Sequence, residues 1–396
     1  MLKLFKYRYS ILDIAVLLFL FTSPLESIAV LEDFSIVKLS GIVIILAFIF
    51  SINKYDFRFD PVSRTHFMLF FYALLSILWS INVENTGNLV FSFLLPTVLI
   101  TWIICLSVDN EVKLEKIKTA YLLGCIVNCV FALLARESTL AVAEYAGEER
   151  LTALGQDQNM LAFLLVMGVV IALSRIKNKS VRVWGKIIYS IISIVLFFVI
   201  LSTGSRMGLI ILLLVLLLFL FSDKKMFFIM TPIVIIAGLL ILGLLPDSIV
   251  DRFWDTESQI RSGDMSQRGE IWKRSLMAFA HENFVLGVGY ANFTEMLSES
   301  FSGYRVASHN TYLSYLVDLG IIGLIFLLFW IFRLFRYLFY IYRSRKDIFV
   351  FAYLLPLVVT MFVLETEYKR WIFILGVLIY RQYVLEKKRN EKIDLY

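Results

Sequence analysis

The sequence predicts an all-α, polytopic integral membrane protein. Apolar residues make up 60% of the 396 residues, and charged residues make up only 18%. Runs such as GLIILLLVLLLFLF, which starts at Gly208, are continuously apolar and do not alternate with polar residues. Because backbone groups inside a bilayer must be hydrogen-bonded within the chain, continuous apolar runs favour helices over barrel strands. The expected fold class is therefore helical.

About twelve apolar runs approach the roughly 20 residues that a straight span needs. They lie near 11–31, 37–52, 66–81, 89–106, 117–134, 160–174, 183–202, 207–222, 227–245, 311–332, 349–364 and 368–385. We therefore predict a membrane domain over 1–245 with about nine spans, a long loop over 246–310, and a membrane domain over 311–396 with about three spans and a tail. Long loops in compact proteins commonly carry function.

Basic residues are distributed unevenly between alternate loops. Of the 38 Lys and Arg residues, 26 fall at the two termini and in the loops that share their side, and 12 fall on the opposite side. Short cytoplasmic loops retain Lys and Arg, so both termini are predicted to be cytoplasmic and the 246–310 loop to face outward. The net charge of +6 then reflects topology, and no nucleic-acid partner is indicated.

Several arginines on the outward side run against this trend. Arg206 lies in the short turn LSTGSRMG between two spans, so its guanidinium is expected at the bilayer boundary. A tight turn followed by a helix N-terminus would favour an anion there, and Gly204 and Gly208 suit the turn better than a helix-dimerisation face. The alternative is that Arg206 reaches to lipid headgroups. The other outward arginines in well-marked settings are Arg150, Arg261, Arg268, Arg274 and Arg305.

The long loop contains the segment RGEIWKRSLMAFAHENF. Trp272, Leu276 and Phe279 recur at helical spacing, which predicts an amphipathic helix on the membrane surface with Arg268 at its start. The following GVGYANF predicts a turn, because no strand and helix surround it as a dinucleotide fingerprint requires. Planar guanidinium groups facing one cavity suit a diphosphate, so an anionic lipid-linked substrate is a hypothesis.

The run HNTYLSYLVDLGIIG places His309 and Asn310 at the mouth of a span. A neutral imidazole, with a reference pKa of about 6.5, can accept a proton from a hydroxyl. The alternative is that His309 only caps a helix that begins at Tyr312. Asp318 falls about two turns into the span, where an acid must face protein or water and could orient an arginine or pair within the bundle.

The outward side shows no metal-binding pattern. It lacks a D-x-D-like motif or a histidine cluster, and the three cysteines lie in apolar segments. We therefore expect no metal and no cofactor.

Together these features resemble the bacterial O-antigen ligase and O-antigen polymerase superfamily. The resemblance rests on the spans, the long loop between the ninth and tenth, the SRMG turn, and an Arg-Trp-Gly-x-Gly pattern from RGEIW to GVGYANF. Its sharpest element resembles the ligase signature: His309 and Asn310, nine residues, then Gly320-x-x-Gly323. RLTALGQDQNM, with Arg150, Gly155 and Asn159, resembles the stretch before the family's middle helices.

The resemblance implies an inverting, metal-independent glycosyl transfer from an undecaprenyl-diphosphate-linked glycan. The reaction would take place at the periplasmic face of the bacterial inner membrane. By position, Arg206 and Arg268 would bind the diphosphate and His309 would activate the acceptor hydroxyl. The resemblance also implies that further residues could support this site: Arg150, Asn159, Arg274, Arg305, Asn310 and Asp318.

The acceptor separates two functions within this superfamily. A ligase passes a finished glycan to lipid A core, whereas a polymerase joins lipid-linked repeat units. The spacing from His309 to Gly320 favours the ligase, although some polymerases share it. A lipid-linked oligosaccharide flippase is a third alternative, but transporters usually show internal repeats and mid-membrane polar residues in several helices. Here the unusual charges gather at one face.

Overall fold

The computed structural model describes residues 10–393, apart from 27, 32–33, 135–150, 152–156, 246, 255–267, 299–300, 302 and 367–368. In these residues the chain is helical except for loops and one short antiparallel pair of strands, β1 (Ala29–Leu31) and β2 (Phe34–Ser35). The prediction of a helical fold is confirmed.

Eight α-helices form the first half of the described chain. They are α1 (Ile11–Thr22), α2 (Ile36–Ile49), α3 (Pro61–Leu75), α4 (Val83–Leu89), α5 (Leu95–Ser107), α6 (Glu111–Leu134), α7 (Gln158–Lys177) and α8 (Val183–Ser202). Short 3-10 helices cover Ser23–Leu25, Ile52–Lys54 and Ser76–Trp79, and the π-helical turn Val90–Leu94 joins α4 to α5.

The second half of the described chain contains eight more α-helices. They are α9 (Arg206–Leu220), α10 (Lys224–Leu242), α11 (Asp247–Trp254), α12 (Arg268–Phe279), α13 (Phe293–Ser298), α14 (Thr311–Arg345), α15 (Leu355–Thr360) and α16 (Arg370–Ile393). A 3-10 helix over Ile348–Tyr353 precedes α15.

Six helical stretches among the described residues are long and apolar enough to cross a bilayer. They are Pro61–Trp79, Val83–Ser107, Glu111–Leu134, Gln158–Lys177, Val183–Ser202 and Thr311–Arg345. Four shorter apolar stretches are Ile11–Leu25, Ile36–Ile49, Arg206–Leu220 and Ile348–Thr360. A helical element overlaps each of the predicted spans, but the total of about twelve crossings stays a prediction.

Some predicted boundaries were wrong. The first apolar run was expected to be one span over 11–31, but α1 ends at Thr22, Pro24 lies in the following 3-10 turn, and β1 comes next. The run over 349–364 is divided into a 3-10 helix and α15, which has Pro356 in its first turn because proline lacks an N–H and suits a helix start. In contrast, α14 continues to Arg345, well past the predicted end at 332.

The core of the bundle surrounds α7. Every residue from Met160 to Leu173 on this helix is buried. The adjacent α8 exposes apolar side chains such as Ile188 and Ile191 along its outer face. A helix that is apolar but uncovered by protein is typical of one that contacts lipid.

Long-range contacts between loops fall into two sets. One set joins loops or span ends predicted to face outward: Trp79 with Leu286, Leu151 with Ser202, Ser308 with Glu365, and Glu26 with Arg370. The other joins loops or helix ends predicted to face inward: Asp13 with Lys113, Glu115 with Arg175, Lys177 with Asp347, and Arg345 with Glu386. The bundle therefore has two ends whose loops alternate along the chain, as the charge pattern predicts.

Candidate functional site

The SRMG turn places Arg206 at the first position of α9. Gly204 adopts a positive φ of 60°, and Ser205 caps the helix by accepting a hydrogen bond from the Gly208 amide at 3.0 Å. A Cβ atom on Gly208 would lie 2.6 Å from Ala162 Cβ, so this glycine allows α9 to approach α7 closely. The prediction of a tight turn followed by a helix N-terminus is confirmed.

The start of α7 connects this turn to the rest of the site. The Ser205 hydroxyl donates to Asn159 Oδ1 at 2.7 Å, and Asp157 caps α7 by accepting from the Met160 amide at 2.9 Å. Asn159, predicted as a supporting residue, therefore fixes the turn that carries Arg206. Asp157 was not identified from the sequence, although an Asp directly before an apolar helical run is a recognisable N-cap signal.

Asn310, and not His309, caps α14. Its side chain accepts a hydrogen bond from the Leu313 amide at 3.1 Å, and the helix begins at Thr311. The alternative that His309 caps a helix starting at Tyr312 is therefore wrong. His309 has a positive φ of 47°, a conformation that costs free energy in a non-glycine residue and often persists at functional sites. Its imidazole is half-buried.

The helix α12 carries Arg268 at its first position and is attached to the His309 loop. The Trp272 indole donates to Ser308 O at 2.9 Å. Ile271 and Phe279 pack with Leu313 and Val317 of α14 in a small core outside the main bundle. The buried face therefore differs from the predicted one, because Leu276 is 50% exposed and α12 packs against protein on its Ile271 side.

Gly320 breaks α14 and allows the turn after α12 to dock on it. Its φ of 65° and ψ of −168° are not helical, and a Cβ there would lie 2.2 Å from Val285 O. The backbone groups released by the break bond to the docked turn: Val288 N donates to Val317 O, Gly289 N donates to Asp318 O, and Ile321 N donates to Phe284 O. Interruptions of a membrane helix are tolerated where neighbouring protein satisfies the freed groups in this way.

The Asp318 carboxylate holds the same turn. Its two oxygens accept hydrogen bonds from the backbone amides of Ala291 and Asn292, each at 3.0 Å. The side chain is buried. Asp318 thus has a positioning role, and GVGYANF is a turn as predicted, with positive φ at Gly287, Gly289 and Ala291.

A carboxylate from the loop between the last two apolar runs bonds the loop that carries His309. Glu365 accepts a hydrogen bond from the Ser308 amide, next to His309. The segment that carries it is fixed by Thr311, whose hydroxyl donates to Leu364 O at 2.7 Å and whose amide donates to Met361 O at 2.8 Å. Sequence reasoning missed Glu365; the available signal was an acid in the short loop between the last two apolar runs.

Charges from three distant segments influence the His309 imidazole. Burial lowers the pKa of His309 and the positive charge of Arg268 lowers it further, whereas the carboxylates of Glu365 and Asp157 act in the opposite direction. Burial also lowers the pKa of the Arg268 guanidinium, and Asp157 opposes that shift. The charges of Asp157, Arg268 and Glu365 therefore all act on the His309 imidazole. A histidine with a lowered pKa is neutral near pH 7, as a general base must be.

A family model described as O-antigen ligase matches residues 191–328. This segment is therefore similar to an O-antigen ligase domain. The resemblance to the O-antigen ligase and polymerase superfamily is therefore confirmed, and the general function is O-antigen ligase-like. A comparison with curated proteins gives no match.

The matched segment covers about a third of the chain. It contains Arg206, Arg268, His309 and the Gly320 break. Asp157 and Asn159 lie before it and Glu365 lies after it; Asn159 bonds Ser205 next to Arg206, and Glu365 bonds the Ser308 amide next to His309. Residues that complete the site thus come from both sides of the matched segment.

The remaining predicted supporting residues differ in position. Arg274 bonds Glu270 Oε1 at 2.7 Å and lies over the Phe301 ring, and Arg305 bonds Glu295 Oε2 at 2.8 Å. Both side chains are substantially exposed, at 44% and 69%. Arg150 lies outside the described residues. Where the structure describes side chains, no three His, Cys, Asp or Glu residues group as metal ligands would.

Proposed function

We propose that the chain transfers a glycan from an undecaprenyl-diphosphate-linked donor to a hydroxyl of an acceptor, with His309 as the general base. The observation that carries the proposal is that Glu365 and the helix of Arg268, through Trp272, both bond Ser308 next to His309, in a chain whose residues 191–328 match an O-antigen ligase model. The proposed site faces the periplasm of a bacterial inner membrane, and both termini are cytoplasmic, as the distribution of basic residues supports.

The reaction forms one bond and breaks one bond at the anomeric carbon. The acceptor oxygen attacks this carbon while His309 removes the hydroxyl proton, and the bond between carbon and diphosphate oxygen breaks with its electron pair on the diphosphate. Attack opposite the leaving group inverts the configuration. Arg206 and Arg268 offer planar, permanently charged donors that stabilise the growing negative charge in a preorganised site. We propose that no metal takes part.

The charges around His309 suit this role. Arg268 helps to keep the imidazole neutral before the reaction, and Glu365 and Asp157 stabilise the imidazolium that forms when the proton arrives. Glu365 also bonds the backbone beside His309, so it can hold the histidine in place. We therefore propose Glu365 and Asp157 as positioning residues.

The ligase is the preferred form of this function. The family description of the matched domain and the spacing from His309 to Gly320 both favour transfer to lipid A core. The polymerase, which would use a lipid-linked repeat unit as acceptor, is the second candidate, because the arrangement at His309 serves either hydroxyl. Supplying purified protein with each acceptor in turn, with one lipid-linked donor, distinguishes the two.

The test of the catalytic assignment is the His309→Asn variant in a purified transfer assay. Asn retains hydrogen-bonding capacity and tolerates a positive φ, so the loop should keep its shape. We expect transfer to fall about 10²- to 10⁴-fold while donor binding persists, because the diphosphate is bound by arginine. Robust turnover by His309→Asn would exclude His309 as the base. Lys273→Gln, on the exposed side of α12, is the control.

A further inference from the structure

A charged cavity of about 440 Å³ lies at the end of the bundle opposite His309. It is formed by α6, α7, the end of α14, the 3-10 helix before α15, and α16. The described residues that line it include five basic ones: Lys118, Arg175, Lys177, Arg345 and Arg389. The acidic ones are Glu111, Glu115 and Asp347. Glu386 bonds both Arg345 and Arg389, so the five basic residues face four carboxylates and the excess is one positive charge. The volume falls within the range of small-molecule sites.

Lys118 is the deepest of these cations. It lies two turns into α6 and is only 5% exposed. Its ammonium is 3.1 Å from Glu115 Oε1 and 3.1 Å from Gln382 Oε1, and it lies over the Tyr353 ring at 5.0 Å. A cation within an apolar helix costs free energy to bury, and such residues are functional candidates by default.

A second, apolar cavity of about 40 Å³ adjoins the charged one. Lys118 and Tyr353 line both cavities. Beyond them the second cavity is lined by apolar side chains of α7 and α16, namely Phe163, Met167, Ile171, Trp371, Ile374, Leu375 and Leu378, and by Tyr121 of α6. The lining therefore changes from charged to apolar on passing from the first cavity to the second across Lys118 and Tyr353, which suits an amphiphile.

We propose that this pair of cavities binds an anionic phospholipid. The phosphate headgroup occupies the charged cavity, and the first part of a hydrocarbon chain extends past Lys118 into the apolar one. Guanidinium and ammonium groups are the usual phosphate donors, and basic pockets between membrane helices at the cytoplasmic side commonly hold lipid headgroups. A free phosphate ion would use only the charged cavity, so the apolar extension favours a lipid. This site is independent of the transfer reaction at His309.

The first test measures headgroup selectivity on the full chain in detergent by native mass spectrometry. The probes are phosphatidylglycerol, phosphatidylcholine and inorganic phosphate. We expect phosphatidylglycerol to bind at least about tenfold more tightly than phosphatidylcholine, and Lys118→Gln and Arg389→Gln to remove most of that preference. Lys387→Gln is the matched control, because Lys387 is a similarly exposed cation on α16 that does not line the cavity. Arg389 is partly exposed, so its variant should fold even if Lys118→Gln does not.

The second test addresses the apolar cavity. Leu378→Trp should fill it and weaken phosphatidylglycerol binding several-fold without changing the affinity for glycerol phosphate, which lacks the hydrocarbon chain. Equal binding of the two phospholipids, or equal losses in Arg389→Gln and Lys387→Gln, would overturn the site. A third outcome is that Leu378→Trp leaves phosphatidylglycerol binding unchanged and inorganic phosphate displaces the lipid fully. The charged cavity would then be a site for a free anion, and the lipid proposal would be overturned.

Discussion

The attachment of α12 to the His309 loop can be tested by removing one hydrogen bond. Trp272→Phe keeps an aromatic ring but deletes the indole donor that lies 2.9 Å from Ser308 O, and Ser308 is fully buried. A neutral hydrogen bond contributes about 0.5–1.5 kcal/mol, and a buried carbonyl left without its donor costs about 1–3 kcal/mol. If α12 is only marginally stable against the His309 loop, a loss of about 1–3 kcal/mol lowers the fraction of molecules with α12 docked by about 5- to 150-fold. The transfer rate should fall by the same factor.

The measurement is single-turnover glycan transfer by purified protein with lipid-linked donor and acceptor, alongside thermal unfolding. We expect Trp272→Phe to slow transfer and Trp272→Ala to slow it further, because Arg268 then leaves the neighbourhood of His309. Lys273→Gln, on the exposed side of the same helix, should keep the parent rate. If both Trp272 variants stay within about twofold of the parent, α12 does not need this hydrogen bond to place Arg268.

Three further predictions concern Arg206, the pKa of His309 and the membrane topology. Arg206→Ala should lower transfer about ten- to more than a hundred-fold, and Arg206→Lys should restore only part of it, since a point charge cannot reproduce a bidentate contact; near-normal transfer by Arg206→Ala would favour the lipid-headgroup role. Because the pKa of His309 is lowered, the acidic limb of kcat/KM should lie below about pH 6.5. In Arg268→Gln the acidic limb of the residual activity, and the imidazole pKa measured by NMR, should both move to higher pH. In Glu365→Gln both should move to lower pH. Shifts in the same direction in the two variants would contradict the arrangement. A reporter inserted in 246–310 should be active only in the periplasm, and one at the C-terminus only in the cytoplasm; the reverse result would invert the topology.

Local patterns predicted most of the helical architecture. Apolar runs located the helices because a bilayer requires long apolar segments, and the SRMG turn followed from small residues between two such runs. The boundaries that were wrong lie where Pro24 and Pro356 shape the chain or where packing prolongs a helix, as in α14. In the last case the continuation to Arg345 passes a stretch with several charges, and hydropathy alone would end it earlier.

The sequence by itself determined which residue types are available for chemistry: a histidine at the mouth of a span and arginines on the side that usually lacks them. Only the tertiary structure decided their partners. Asn310 caps α14, and Gly320 breaks this helix so that a turn can dock on it. Glu365 bonds the backbone next to His309 and Asp157 acts on the imidazole through its charge, each from a segment more than 50 residues away. The physical reason is that hydropathy and spacing report the local environment of a residue, whereas the pKa of an imidazole depends on charges that chain folding brings close in space.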